Sequence, residues 1–313
     1  MRYASYQSSL SSGKTSYGVV LQNGIVDIPL LWAYAVPQTI APSSLIDFIS
    51  NQLNVVLLKI NWESWQERDL VNLCTLPLSS IKLTAPIPLP RRHVVCVGLN
   101  YLDHLADHNR SYPGTVRRPV RPVFFAKPNT AVIGPFESIA WDPEITLQLD
   151  YEIELAVVIG KSGRNIPKQK AFEHIFGYSL INDISARDVQ AQTPQFYQAK
   201  GMDTYCPFGP VIVDIEDIPN PHKLTLSLFV NGELRQHQTT QAMLFDIPSI
   251  IASLSQGMSL WPGDVIATGT PGGCGYTQHP PIFLEDGDRV TCYIEQIGTL
   301  ENTIEKVSGR YSV

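Results

Sequence analysis

The stretch Asp150-Tyr151-Glu152-Ile153-Glu154-Leu155-Ala156-Val157-Val158-Ile159-Gly160 constrains the fold more than any other part of the chain. Its Tyr, Ile, Leu and Val content is that of a strand, and the period-2 alternation sets Asp150, Glu152 and Glu154 on one face. Two of those carboxylates then lie within about 7 Å of each other in a sheet whose other residues are apolar. Like charges that close in a low dielectric repel or stay protonated unless a cation joins them. An oxygen-liganded divalent ion resolves the conflict, and Mg²⁺, Mn²⁺ or Ca²⁺ suits all-carboxylate ligation better than zinc.

A chain of 313 residues, 44% of them hydrophobic, is long enough for a large core and for a small unit beside a larger one. The formal charge of -6 argues against nucleic acid or an anionic membrane as the main partner. No apolar run approaches a membrane span, and Met1-Arg2-Tyr3-Ala4-Ser5-Tyr6-Gln7 holds no signal core. The expected location is cytoplasmic, although such a start is also compatible with a short mitochondrial targeting segment. Cys74, Cys96, Cys206, Cys274 and Cys292 are scattered and form no CxxC pair, so they read as reduced, mostly buried residues.

Residues 1–88 read as a small α+β domain and 89–313 as a larger β-rich domain that holds the carboxylate strand. Ser16-Tyr17-Gly18-Val19-Val20-Leu21 and Ile25-Val26-Asp27-Ile28 flank the turn pair Asn23-Gly24, a hairpin signature. Ser43 to Leu58 and Trp62 to Leu76 have helical spacing, and prolines at 86, 88 and 90 mark a linker or a stiff crossing strand. Beyond it, strands are expected at Val94–Gly98, Val123–Phe125, Tyr151–Ile159, Phe176–Asn182, Gly209–Val213, Leu224–Val230, Asp264–Thr268 and Arg289–Ile294. Helices are expected only at Tyr101–His108, Lys168–His174 and Phe245–Ser255. The pattern is α+β and mainly β, without the strand–helix alternation of a doubly wound sheet.

Four further clusters carry chemistry. In Ile181-Asn182-Asp183-Ile184-Ser185-Ala186-Arg187-Asp188-Val189-Gln190, Asp183 offers a third metal oxygen, while Arg187 and Gln190 share a helical face toward an anion or carbonyl. A capped helix with casual surface pairs is the plainer alternative, favoured were the carboxylate strand absent. In Asn100-Tyr101-Leu102-Asp103-His104-Leu105-Ala106-Asp107-His108, His104 and Asp107 are one helical turn apart, the spacing of a carboxylate-oriented general base; a fortuitous exposed pair fits equally. Lys200 can neutralise an enolate or carboxylate, or simply be solvated. In Gly269-Thr270-Pro271-Gly272-Gly273-Cys274-Gly275, backbone N–H groups and the Thr270 hydroxyl can cradle a carboxylate, or form only a structural turn. No phosphate-loop lysine is present there.

Taken together, Gly98-x-Asn100-Tyr101-x-x-His104, the Asp150–Gly160 strand, Asn182-Asp183-x-Ser185-Ala186-Arg187-Asp188-x-Gln190, Lys200-Gly201-x-Asp203-Thr204 and Gly263-Asp264-Val265-Ile266-x-Thr268-Gly269-Thr270-Pro271 resemble the fumarylacetoacetate hydrolase family in order and spacing, over residues 90 to 305. The resemblance implies a mixed β-roll or β-sandwich with a small N-terminal α+β domain, usually a homodimer, with its site at the open end of the roll. It implies Glu152, Glu154 and Asp183 as ligands of Mg²⁺, with Mn²⁺ or Ca²⁺ as substitutes, and leaves Asp150 as a hydrogen-bonding support. It places Arg187, Gln190, Lys200 and Thr270 at the substrate and makes His104 the base. The base's acidic partner, usually Glu, is here Asp107, one methylene shorter. The loop Arg110 to Pro122 is more basic than the family leads one to expect. One or more of Arg110, Arg117, Arg118 and Arg121 is a candidate for attracting a dianion, against simple solvation or a dimer contact.

The chemistry implied is that of 2-oxo or 2,4-dioxo acids passing through an enolate, stabilised by metal charge and Lys200. Because a base dyad is present, C–C hydrolysis of an acylpyruvate or fumarylpyruvate-like substrate ranks first, with His104 and Asp107 activating water. Oxaloacetate keto–enol tautomerisation, 2-hydroxyhepta-2,4-diene-1,7-dioate isomerisation and decarboxylation are the alternatives within the family. A non-catalytic metal- or ligand-binding module is the alternative outside it.

Overall fold

The computed structural model describes residues 1–8, 13–111 and 117–307. One large mixed sheet runs in the order Thr75–Pro77, Gly24–Asp27, Thr15–Val20, Arg2–Ser8, Cys206–Asp214, Ile175–Asn182, Ile153–Ile159, Val265–Ala267, Val94–Gly98 and Val123–Lys127. A five-stranded sheet of Glu233–Thr239, Thr225–Val230, Arg289–Ile294, Gly298–Lys306 and Ile139–Trp141 packs against it. The architecture is thus α+β and mainly β. The leading unit continues the large sheet, since Arg2 and Tyr3 pair with Val213 and Ile212.

Ile153–Ile159 is buried along its whole length, and its alternation divides two cores. Ile153, Leu155, Val157 and Ile159 face the five-stranded sheet with Leu226, Leu228 and Ile294. Ala156 and Val158 face the leading unit with Tyr3, Trp32 and Phe48. A strand covered on both faces needs apolar residues at every position, which is why Glu154 stands out in it.

The expected hairpin forms about Asn23-Gly24, where Leu21 N–H donates to Gly24 O at 2.8 Å. Two long helical stretches in the leading unit are instead three helices, Leu45–Ser50, Gln52–Glu67 and Leu70–Leu73, and the chain then enters the strand Thr75–Pro77. The helix near His104 spans Leu102–Ser111, and Lys168–His174 is a 3₁₀ turn. Strands at Arg2–Ser8, Glu233–Thr239 and Gly298–Lys306 escape the sequence pattern. Glu233–Thr239 buries only the polar Gln236 and exposes Leu234, so no apolar alternation marks it.

Helix Ile247–Leu254 is capped by Asp246, which accepts from Ser249 N–H at 2.8 Å. Its first N–H, that of Ile247, donates to His222 Nε2 at 3.1 Å. Burial lowers the His222 pKa from its ordinary 6.5, against the opposing pull of Asp246. The unfolded chain therefore binds the proton first as pH falls below about 6.5, and stability is expected to drop in that window. Urea unfolding between pH 7.5 and 5.5 checks this, with a shallower slope expected for His222→Gln.

Candidate active site

The strand of alternating carboxylates is broken at its start. Leu149–Asp150 belongs to a separate two-stranded ladder with Ser185–Ala186, and the regular strand begins only at Ile153. Side chains close the gap: Asn182 Oδ1 accepts from Glu152 N–H at 3.0 Å, and Gln236 Oε1 accepts from Ile153 N–H at 3.0 Å. Asp150, Glu152 and Glu154 are therefore not three projections of one continuous strand face, because the pairing changes partner between them.

Asp150 is fully buried and holds a loop. Its oxygens accept from Gly275 N–H at 2.8 Å, Tyr276 N–H at 3.2 Å and Arg187 Nε at 2.9 Å. Glu152, Glu154 and Asp183 instead converge, with one oxygen from each lying within 4.8 Å of the others. Asp183 reaches them from the turn after Ile175–Asn182, where its N–H donates to Glu152 O at 2.8 Å.

Cations line this cluster unevenly. Lys200 Nζ donates to Glu152 Oε2 at 2.8 Å and to Asp183 Oδ2 at 2.7 Å. Lys127 Nζ bonds the other Asp183 oxygen and Ile184 O, the latter at 3.0 Å. Arg187 Nη2 lies 2.6 Å from Glu152 Oε1, an ion pair by distance although its N–H direction misses a hydrogen bond. Among the described residues Glu154 has no ion pair, and its Oε2 accepts from Gly269 N–H at 2.6 Å. That approach requires glycine: Gly269 has φ +99°, and a Cβ there would lie 2.6 Å from Asn100 Cβ.

The electrostatics follow this placement. Burial acts to raise the Glu152 carboxyl, but Lys200 and Arg187 outweigh it and hold the group well below the carboxylate range. Burial also opposes charge on Lys200, and Asp183 and Glu152 outweigh it, so the ammonium is retained. Glu154 is pushed well above its ordinary value by burial, then by Asp183 and Glu152.

A cavity of about 690 Å³ opens on the cluster, lined by Glu152, Glu154, Arg187, Gln190, Lys200, Thr270 and His104 among others. Gln190 Oε1 accepts from Arg187 Nη1 at 3.1 Å, and the Arg187 guanidinium lies 4.3 Å from the Tyr276 ring centroid. Thr270 Oγ1 accepts from Gln236 Nε2 at 2.9 Å.

His104 and Asp107 do not pair. His104 is buried, and its Nδ1 lies 3.7 Å from Cys274 Sγ, with the ring edge-on to Tyr276. Asp107 Oδ2 accepts from Gly273 N–H at 3.0 Å, and its other oxygen is 3.2 Å from Arg110 Nη1. The helix that carries both points His104 into the cavity and Asp107 toward the Gly-rich turn. Burial brings the His104 pKa down to about 4, against the attraction of Glu152, so the imidazole is neutral at pH 7.

Of the basic loop, residues 112–116 lie outside the described residues. Arg117, Arg118 and Arg121 are exposed, and none of the loop's described arginines lines the cavity. Two functional side chains escape sequence reasoning. Lys127 is fully buried at the end of Val123–Lys127, and a lysine closing an apolar strand against a proline was the available signal. Gln236 is buried in a strand of mixed polarity and links Ile153, Thr270 and Pro271; nothing in its neighbourhood marks it.

Residues 93–305 match the family model described as Fumarylacetoacetate (FAA) hydrolase C-terminal. The chain belongs to the fumarylacetoacetate hydrolase family. It is 43% identical over 265 residues to "Oxaloacetate tautomerase YisK" of Bacillus subtilis (strain 168), covering 84% of this chain and 87% of that protein. The fumarylacetoacetate hydrolase of Exiguobacterium antarcticum superposes with a TM-score of 0.78 at 37% identity, over 98% of this chain and 100% of that one. The maleylpyruvate hydrolase of Sphingobium sp. SYK-6, solved with manganese(II) and pyruvate, gives 0.73 at 29% identity, over 98% and 100%. The protein is an enzyme of this family, which does not favour a non-catalytic binding module. Hydrolysis loses its first rank: the tautomerase relative is the more similar in sequence, and the water-activating pair on which the ranking rested is not formed.

Proposed function

We propose that the protein is a divalent-metal-dependent oxaloacetate keto–enol tautomerase. The observation that carries this reading is His104: a neutral, buried base in the cavity of the acidic cluster, bonded to Cys274 and not oriented by Asp107 to activate water.

The donor set fits a hard cation. Four buried carboxylates, Asp150, Glu152, Glu154 and Asp183, face three cationic side chains, Lys127, Lys200 and Arg187, and the carboxylate without a cation is Glu154. Mg²⁺ or Mn²⁺ held by Glu152, Glu154 and Asp183 would supply Lewis-acid stabilisation of charge on the 2-oxygen of the substrate. Lys200 adds a fixed ammonium at the same developing oxyanion. Arg187 and the Thr270 hydroxyl bind the two carboxylates of the dianion. In the keto-to-enol direction His104 takes a C3 proton at Nε2 while the Lys200 ammonium gives one to the 2-oxygen; the reverse direction returns both, and exchange with solvent resets the two groups between turnovers. The apolar part of the cavity wall, including Val97, Phe125 and Phe196, excludes water that would divert the enolate.

The test is the ultraviolet absorbance of enol oxaloacetate with purified protein and Mg²⁺ or Mn²⁺, beside acetylpyruvate and fumarylpyruvate. Rapid enol–keto exchange with no C–C cleavage is expected. Cleavage of either acylpyruvate faster than exchange would replace this reading by the hydrolase one. Glu152→Gln is expected to abolish Mn²⁺ binding in calorimetry and turnover together. Unchanged affinity would remove Glu152 from the ligand set.

A further inference from the structure

A second cluster of metal-ligating atoms adjoins the first and shares one residue with it. His104, Glu152 and Cys274 are all buried, and each offers one ligand atom within 4.8 Å of the others. Their chemistry differs from that of the carboxylate cluster: imidazole, carboxylate and thiolate suit zinc, whereas three carboxylates suit magnesium or manganese. We propose that His104, Glu152 and Cys274 form an inhibitory Zn²⁺ site that competes with the carboxylate cluster for Glu152. This rests on the metal-dependent reading above only for the word inhibitory.

The geometry is close to what zinc requires. Tetrahedral bonds to sulfur and nitrogen place those two atoms roughly 3.5 Å apart, and Cys274 Sγ lies 3.7 Å from His104 Nδ1. Glu152 brings one oxygen within 4.8 Å of both, and its two oxygens now pair with Lys200 and Arg187, one of which zinc displaces. The other oxygen stays with its cation, so Glu152 serves one metal ion at a time. The fourth position faces the cavity that His104 and Glu152 line, and is open to water or a substrate carboxylate. On binding, the Cys274 thiol proton leaves to solvent and the sulfur binds as thiolate.

Zinc there disables the enzyme twice. It draws Glu152 from Glu154 and Asp183, and it ligates Nδ1 of His104. A neutral imidazole bound through Nδ1 carries its proton on Nε2, the nitrogen needed free to accept the C3 proton.

Cobalt(II) is the probe for the site itself. Titrated into the full-length protein, Co²⁺ is expected to give a near-ultraviolet thiolate-to-metal charge-transfer band. The band should persist in Glu154→Gln and vanish in Cys274→Ser and in His104→Asn, with far-ultraviolet dichroism confirming that each variant is folded. Absence of the band in the wild type overturns the proposal whatever the fate of the tautomerase reading, which is judged by turnover and Mn²⁺ binding alone. Zinc added to Mn²⁺-loaded protein is expected to stop enol–keto exchange and to release Mn²⁺, seen as the free-ion signal in electron paramagnetic resonance. Relative to each protein's own zinc-free rate, Cys274→Ser should need about 10–100-fold more zinc for half-inhibition. Equal sensitivity of the two proteins would place zinc at the carboxylate cluster and overturn the site.

Discussion

Asp150→Ala is expected to lower the unfolding free energy by about 3 kcal/mol, the lower end of the cost of breaking a buried ion pair. The lower end applies because Arg187, left without Asp150, still faces Glu152. The same substitution strands the N–H groups of Gly275 and Tyr276, which have donated to the lost carboxylate in the interior. Their loop carries Cys274 against His104 and Tyr276 under Arg187, so turnover should fall even under conditions where the variant remains folded. Urea midpoints and activity on one sample check both parts. Asp150→Asn keeps an acceptor but not the charge, and an intermediate loss of stability is expected. A midpoint equal to that of the wild type would mean that this carboxylate does not hold the loop.

Lys200→Met should have the largest effect on rate. The ammonium sits between Glu152 and Asp183, and removing a preorganised charge at a developing oxyanion costs about 10²–10³ in kcat. Lys200→Arg is not expected to restore it, since a planar guanidinium cannot occupy the space of a compact ammonium that bridges two carboxylates. The loss also changes the response to metal. Without Lys200, Glu152 keeps Arg187 and Asp183 keeps Lys127, but the charge that bridged the two is gone, so metal-free protein is weaker and Mn²⁺ should raise its melting temperature more than it raises that of the wild type. A variant with normal kcat, or with no larger metal response, would remove Lys200 from the machinery.

The cost of these changes follows from how charges are buried. Glu152, Glu154, Asp183, Lys127 and Lys200 are each at most 5% exposed, and such groups are tolerated only as a mutually compensating set. The set is incomplete at Glu154, and that is where a divalent cation has most to contribute.

What the sequence alone determined was local. The alternation of Ile153 to Ile159 and the Asn23-Gly24 turn follow from residue types at fixed short spacings, whereas the meeting of Glu152 and Glu154 with Asp183 was implied by the family resemblance of the five ordered motifs. Even Asp150's supporting place was legible, because the motif leaves it outside the ligand set. Tertiary structure decided the partners. His104 and Asp107 share a helical face by spacing, yet the helix abuts the Gly-rich turn, whose Gly273 N–H claims the aspartate while Cys274 meets the histidine. Lys127 and Gln236 became parts of the site only because strands distant in sequence carry them inward. Periodicity reports which face a side chain takes, but which donor or charge waits on that face depends on strand pairing between segments about a hundred residues apart, and those pairings set whether the substrate meets a water-activating dyad or a solitary base.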